Sequence, residues 1–257
     1  MRRVEVASGL FLGDRALQQD SIANYHHQPT GKWLLALSDG IGGAGNGHLA
    51  SRLIVRTAMA SMKTHVGDIA SGTDVAQVLH DAALAANRSV ASAKARHPDF
   101  AAMGGTLLLA CVSADRFHYL SIGDSLIFLL RKGKLSRLNT LHSLASNFQA
   151  LADTGQLKTS SARAAAMRST LTSAVTGEQL SKVDAPEKGV ATQAGDVLML
   201  ASDGIETLSE AVIAETLRQT PRDGAAAVAA NMISRIEGAA AAHQDNVSVT
   251  VVSARGS

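Results

Sequence analysis

The sequence predicts an α+β layered fold, and three observations carry that reading. Short apolar runs bounded by Gly and Asp recur along the chain with the length and composition of strands. Ala-rich segments of helical composition stand in blocks between them rather than in strict alternation, which favours layers over a doubly wound parallel sheet. At 257 residues and 46% hydrophobic content, the chain can bury a sizeable core as one large domain.

Strands are expected at residues 4–12, 33–38, 106–112, 116–121, 126–131, 197–201 and 247–252. Helices are expected at 49–63, 75–95, 210–219 and 224–241, with Asp74 and Asp223 near the starts of the second and fourth. "LSIGDSLIFLLRKGKLSRL" has hairpin character: an apolar run, Gly123-Asp124, a second apolar run, then Lys132-Gly133 before another short strand. The stretch from 139 to 180 is rich in Ser, Thr, Ala and Gln without sustained periodicity. It reads as a mobile excursion with short helices inside a single domain covering 1–257.

The charge balance, 24 basic against 22 acidic residues for a net +2, gives no field that argues for nucleic acid or a membrane surface. No run approaches the roughly 18 apolar residues of a membrane span, and Glu5 interrupts any leader-like apolar stretch. The single cysteine, Cys111, lies in the apolar run "TLLLACV" as a small core residue, which fits a reducing, cytoplasmic setting.

"LLALSDGIGG" at 34–43 and "LMLASDGIET" at 198–207 repeat Ser-Asp-Gly-Ile after a buried run. A carboxylate costs several kcal/mol to desolvate unless it is paired or bound to a cation, although a single Asp-Gly is by default a turn. Similar acids recur at Asp20, Asp39, Asp124, Asp203 and Asp245, with no lysine cluster beside them. Oxygen donors of this kind suit hard divalent ions such as Mg²⁺ or Mn²⁺. The glycines after Asp39 and Asp203 would let a backbone carbonyl or a water approach closely. Arg15, just upstream of Gln19 and Asp20, suits phosphate oxygens as a bidentate fork.

Taken in order, "R-x-x-x-Q-D", "LSDGIGG", "GGTLLLACV", "SIGDS", "GDVLMLASDGI" and "QDNVSVTVV" closely resemble the metal-dependent serine/threonine protein phosphatases of type 2C, in their plain single-domain bacterial form. The resemblance runs from about Gly13 to Val252. It implies a four-layer α-β-β-α sandwich with two central, mainly antiparallel sheets. It also implies two tightly bound Mn²⁺ or Mg²⁺ ions in a cleft at one sandwich edge, and hydrolysis of phosphoserine and phosphothreonine by a metal-activated water. Two cations lower the pKa of such a water from about 15.7 toward about 7.

Carried over residue by residue, the resemblance makes Asp39 the bridge between the two metals, with the Gly40 carbonyl reaching the second. Asp203 and Asp245 complete the first metal's protein ligands. Asp20 acts through an intervening water, Asn246 orients the Asp245 loop, and Arg15 grips the substrate phosphate. Asp124 joins Asp203 at a third, weaker metal position; the competing reading of Asp124 is a hairpin cap. Arg15, Asp20 and Asp39 thus form the expected catalytic group.

Two departures stand out. Ile41 replaces a histidine proposed elsewhere as general acid, leaving that role to a metal-bound water or another group, and Gln19 replaces a common acid beside Asp20. His26 and His27 are expected to be exposed after a strand and His48 to sit at a helix start. His142, at the start of the 139–180 stretch, is given no site role, because its neighbour Leu141 departs from the acid often found there. The implied partners are phosphorylated proteins of signalling systems, a serine/threonine kinase or its targets, with no nucleic acid and no membrane. Two other readings stay open: a binding module that kept the fold and lost catalysis, which loss of a metal acid would have favoured, and a metallophosphoesterase acting on a small phosphoester.

Overall fold

The computed structural model describes residues 3–42, 45–67, 74–144 and 170–255. Its strands are β1 (Arg3–Phe11), β2 (Asp20–His27), β3 (Lys32–Ile41), β4 (Gly104–Gly105), β5 (Leu107–Val112), β6 (Arg116–Ile122), β7 (Leu126–Arg131), β8 (Lys134–Arg137), β9 (Val190–Ala191), β10 (Val197–Ala201) and β11 (Val247–Arg255). The helices are α1 (Gly47–His65), α2 (Val75–Arg96), α3 (Glu210–Leu217) and α4 (Thr220–Ala239).

Two antiparallel sheets result, one ordered β1-β11-β10-β7-β8 and the other β2-β3-β5-β6-β9, with β4 closing on the end of β3. Period-2 alternation divides each strand between two cores. Leu35, Leu37, Leu108 and Ala110 meet Ile127, Leu129, Leu198 and Leu200 between the sheets. Their neighbours Leu34, Ala36, Leu107 and Leu109 turn outward under Ile54, Met62 and Leu79 of α1 and α2. On the opposite side Phe128, Met199 and Val249 lie under Ile213, Leu217, Val228 and Met232 of α3 and α4. Three apolar layers therefore separate four layers of structure, the α-β-β-α sandwich expected.

Asp74 caps α2, its Oδ1 accepting from Ala76 N at 2.9 Å. Asp223 stands just before Gly224, whose φ of 87° breaks α4 near its start. His48 lies in the first turn of α1, its Nδ1 2.7 Å from Gly45 O. Two expectations need correction. His26 and His27 lie inside β2 and are partly buried, His26 because it stacks on Trp33 across the strand pair at 4.6 Å. Asp39 does not follow its strand: β3 continues to Ile41, because Asp20 of β2 pairs with Asp39, and Gly105 of β4 with Gly40.

Of the expected excursion at 139–180, residues 145–169 lie outside the described residues. An isolated bridge from Ser143 to Leu171 joins its two ends to each other, and a second from Val175 to Gly105 ties it to the sandwich at β4. Cys111 is buried on β5, and burial pushes its thiol up to about 11, which removes it as a nucleophile.

Candidate active site

Five acids from separate stretches of chain gather where the two sheets end. Asp20 opens β2 directly opposite Asp39 on β3. Asp203 opens a 3-10 turn, Asp203–Thr207, straight after β10. Asp124 sits in the turn between β6 and β7, and Asp245 two residues before β11. A cleft of about 450 Å³ is lined by Arg15, Asp39, Gly40, Asp124, Asp203 and Asp245, with Gln19, Ile41, Gly42, Thr106, Thr170 and Leu171 completing its wall. Asp20 and Asn246 are buried behind that wall.

Backbone approach fixes the floor. A side chain on Gly40 would place its Cβ 2.0 Å from the Gly47 carbonyl oxygen, and one on Gly204 would come within 2.2 Å of Asn246 O. Asp39 is locked by Thr106, whose Oγ1 accepts from Asp39 N at 2.9 Å while its own N–H donates to Asp39 O at 2.9 Å. Ser202 Oγ donates to Asp20 Oδ2 at 2.7 Å and accepts from Ser248 N at 2.9 Å, so the β10 and β11 ends hold the β2 acid. Asn246 ties three segments together: Oδ1 accepts from Gln19 N at 2.7 Å, Nδ2 donates to Leu12 O at 2.7 Å, and its N–H donates to Asp245 Oδ1 at 2.8 Å.

The Asp124 turn is braced from below. Asn139 Oδ1 accepts from Ile127 N at 2.8 Å, and its Nδ2 reaches Ser121 Oγ and Ser125 O, both at 2.8 Å. Gly123, with φ of 104°, donates to His142 Nδ1 at 3.2 Å and accepts from His142 N at 2.8 Å. His142 is thus buried as a brace for the glycine before Asp124, and burial holds its imidazole below the ordinary range. Thr106, Ser202, Ser248, Asn139 and His142 were not assigned site roles from sequence. The one local signal is that Ser202 and Gly123 each adjoin an acid of the cleft.

The electrostatics are those of carboxylates crowded without enough positive charge. Asp39 is driven well above the ordinary carboxylate range, first by burial, then by Asp20, Asp203, Asp124 and Asp245. Burial pushes Asp20 up to about 6 against the opposing hydrogen bond from Ser202. Burial and then Asp245 push Asp203 up to about 6, and burial with Asp203 pushes Asp124 up to about 7. Arg15 Nη2 donates to Asp245 Oδ2 at 2.7 Å, and this bond raises the guanidinium pKa further.

Among the described residues, no three His, Cys, Asp or Glu side chains close into a finished coordination shell. The acids instead face one another across the cleft, which suits hard cations that keep several of their waters. An all-oxygen donor set and mutual repulsion that only positive charge relieves both fit divalent ions, whereas Gly40 and Gly204 serve close backbone packing against Gly47 and Asn246. Asp39, Gly40, Asp203 and Asp245 could hold such ions, with Asp124 on the adjoining wall.

The protein phosphatase 2C model matches residues 12–244, and the chain belongs to that family. It is 32% identical over 205 residues to the serine/threonine protein phosphatase PstP of Mycobacterium tuberculosis, covering 79% of this chain and 37% of that protein. The chain therefore spans little more than a third of the length of this curated relative. A crystal structure of M. tuberculosis PstP superposes with a TM-score of 0.80 at 28% identity over 100% of both chains. The catalytic domain of PstP solved in complex with two manganese ions superposes at 0.78, with 28% identity and 100% of both chains covered.

Proposed function

We propose that this chain is a metal-dependent serine/threonine protein phosphatase that hydrolyses phosphoserine and phosphothreonine in proteins. The observation that supports it most strongly is the convergence of Asp39, Asp124, Asp203 and Asp245, from four separate stretches, on one cleft with Arg15 at its mouth. PstP, its relative, is named as such a phosphatase and was solved with two manganese ions.

Asp39, the Gly40 carbonyl, Asp203 and Asp245 would hold two Mn²⁺ or Mg²⁺ ions, and Asp124 with Asp203 a third. When bound, such ions neutralise a phosphate dianion and supply an activated water. The chain's own residues do the rest. Arg15 keeps most of its guanidinium exposed, with a side-chain exposure of 55%, so donors beyond the one on Asp245 can take a phosphate oxygen at the cleft mouth. Asp20 accepts from Ser202 behind the wall and leaves Asp39 to face the cleft. Asn246 fixes the loop that presents Asp245. No thiol takes part, so no phosphoenzyme forms on Cys111.

The family supports phosphorylated proteins as substrates, and we read them as targets of a serine/threonine kinase in a signalling system. The one cysteine is a buried free thiol, which fits a reducing cytoplasm. Among the described residues no helix is long and apolar enough to cross a membrane. Single replacements Asp39→Asn, Asp203→Asn and Asp245→Asn test the reading. Each should cut phosphate release from a phosphothreonine peptide at least 100-fold while leaving the fold intact by circular dichroism. Wild-type turnover in all three would refute it.

A further inference from the structure

A second hollow, of about 730 Å³, lies outside the acid cleft, between β2 and α1. Its apolar lining comes from Ile22 of β2 and from Leu49, Leu53 and Met59 of α1, and Arg52, Arg56 and Lys63 stand along it as an exposed cationic row. Among the described residues no acidic side chain lines it, and α1 has no Asp or Glu from Gly47 to His65. Arg52 and Arg56 stand one turn apart, a like-charge pair that a helix does not favour for its own sake. Neither makes an ion pair or hydrogen bond among the described residues. Lys63 Nζ lies 4.2 Å over the Tyr25 ring of β2, which fixes the far end of the row.

The same hollow runs along an open strand edge. Among the described residues β2 is the outermost strand of its sheet and pairs there only with β3. An unpaired edge is a template for an added strand, whose backbone bonds supply affinity while side-chain pockets supply selectivity. The near end of the groove abuts the cleft: Ser21 lines the groove beside Asp20, and Leu49 stands two residues after Gly47, the glycine packed on Gly40. From Leu49 to Lys63 the helix advances about 21 Å, the span of about six extended residues.

We propose that this groove takes an acidic, partly apolar extended segment of the phosphoprotein substrate, flanking the phosphorylated residue. Its carboxylates meet Arg52, Arg56 and Lys63, its apolar side chains meet Leu49 and Leu53, and its backbone lies along the β2 edge. The proposal rests on the phosphatase reading for the identity of the occupant, while the charge and shape of the groove define the segment.

The test uses the full chain and two phosphothreonine peptides, one with alternating Glu and Leu on both flanks and one with Lys in place of Glu. With Mn²⁺, the Glu-flanked peptide should show a KM at least tenfold below the Lys-flanked one. Arg52→Glu with Arg56→Glu should erase that difference while leaving p-nitrophenyl phosphate kinetics unchanged. The milder Arg52→Gln with Arg56→Gln should lie between. Fluorescence anisotropy with the unphosphorylated Glu-flanked peptide reads the groove without turnover, and binding should weaken at least tenfold in the charge-reversed variant and with added salt. Equal affinity for both peptides, or a reversed variant that binds as wild type, would overturn the proposal. So would tighter binding of a single-stranded oligonucleotide or anionic vesicles that displaces the peptide. Failure to hydrolyse p-nitrophenyl phosphate would instead strike the phosphatase reading, and anisotropy would still decide the groove.

Discussion

Asp20 and Asp39 are directly opposed cross-strand partners on β2 and β3. Like charges so placed destabilise a strand pair, by about 0.2–1 kcal/mol in ordinary sheets. Here three more acids line the same end of the sandwich. Stability is given up locally, as expected where a site is built to receive positive charge.

Asp39→Asn removes that repulsion. The metal-free variant should melt above metal-free wild type by about 2–4 °C, the shift that about 1 kcal/mol gives in a domain of this size. Its phosphatase activity should fall at least 100-fold. A lower melting temperature in EDTA would show Asp39 to be a structural acid.

The raised carboxyl pKa values give a signed pH dependence. Asp20 and Asp203 lie at about 6 and Asp124 at about 7 in the folded chain, against about 3.9 when unfolded. Between those limits the native state holds more protons than the unfolded one, so stability falls as pH rises. This contribution is fully present below about pH 4 and lost through pH 6–7. Asp115, held low by its bond from Ser113, acts in the opposite sense but only at more acid pH. His118 and His142, held low by burial, also oppose the trend below about pH 6.5, two imidazoles against the four raised carboxyls of the cleft. Melting of the EDTA-treated protein should therefore drop between pH 5 and pH 8, and saturating Mn²⁺ should flatten or reverse the slope. A metal-free melting temperature that rises across this range would contradict the assignment.

Gly40→Ala should damage both stability and activity. Its Cβ would sit 2.0 Å from the Gly47 carbonyl oxygen, and backbone on both sides must shift at a cost of about 1–3 kcal/mol. Gly31→Ala is the control: its φ of 65° brings strain, but nothing lies within 4 Å of the new methyl. Denaturant melts and kinetics on the pair should separate site collapse from backbone strain. Equal activity losses in the two would remove the special role of Gly40.

Arg15→Ala should raise KM for a phosphopeptide about tenfold, the worth of one charge-assisted bond, with little change in kcat. Because Arg15 also pairs with Asp245, the variant should bind Mn²⁺ at least as tightly as wild type. Loss of metal at unchanged KM would make Arg15 a brace for Asp245.

Much of this was legible in the sequence for definite reasons. Leu34 to Leu37 and Leu198 to Ala201 are buried on both faces and read as continuous apolar runs, so β3 and β10 announced themselves, and with them the acids at their ends. β2 was harder. As an edge strand it carries "DSIANYHH", whose polar and aromatic residues lack an apolar run, so the cross-strand pairing of Asp20 with Asp39 was hidden. β4 and β9 are two residues each and exist only through their partners. The bracing by Ser202, Asn139 and His142 was equally invisible, because hydroxyls and amides are common and only tertiary approach gives these a task.

Phosphate release from a phosphothreonine peptide, measured on chain stripped with EDTA and then titrated with Mn²⁺, tests the central claim most directly. The acid cleft predicts no turnover when stripped and full recovery as Mn²⁺ is restored. Turnover that persists in EDTA would contradict it.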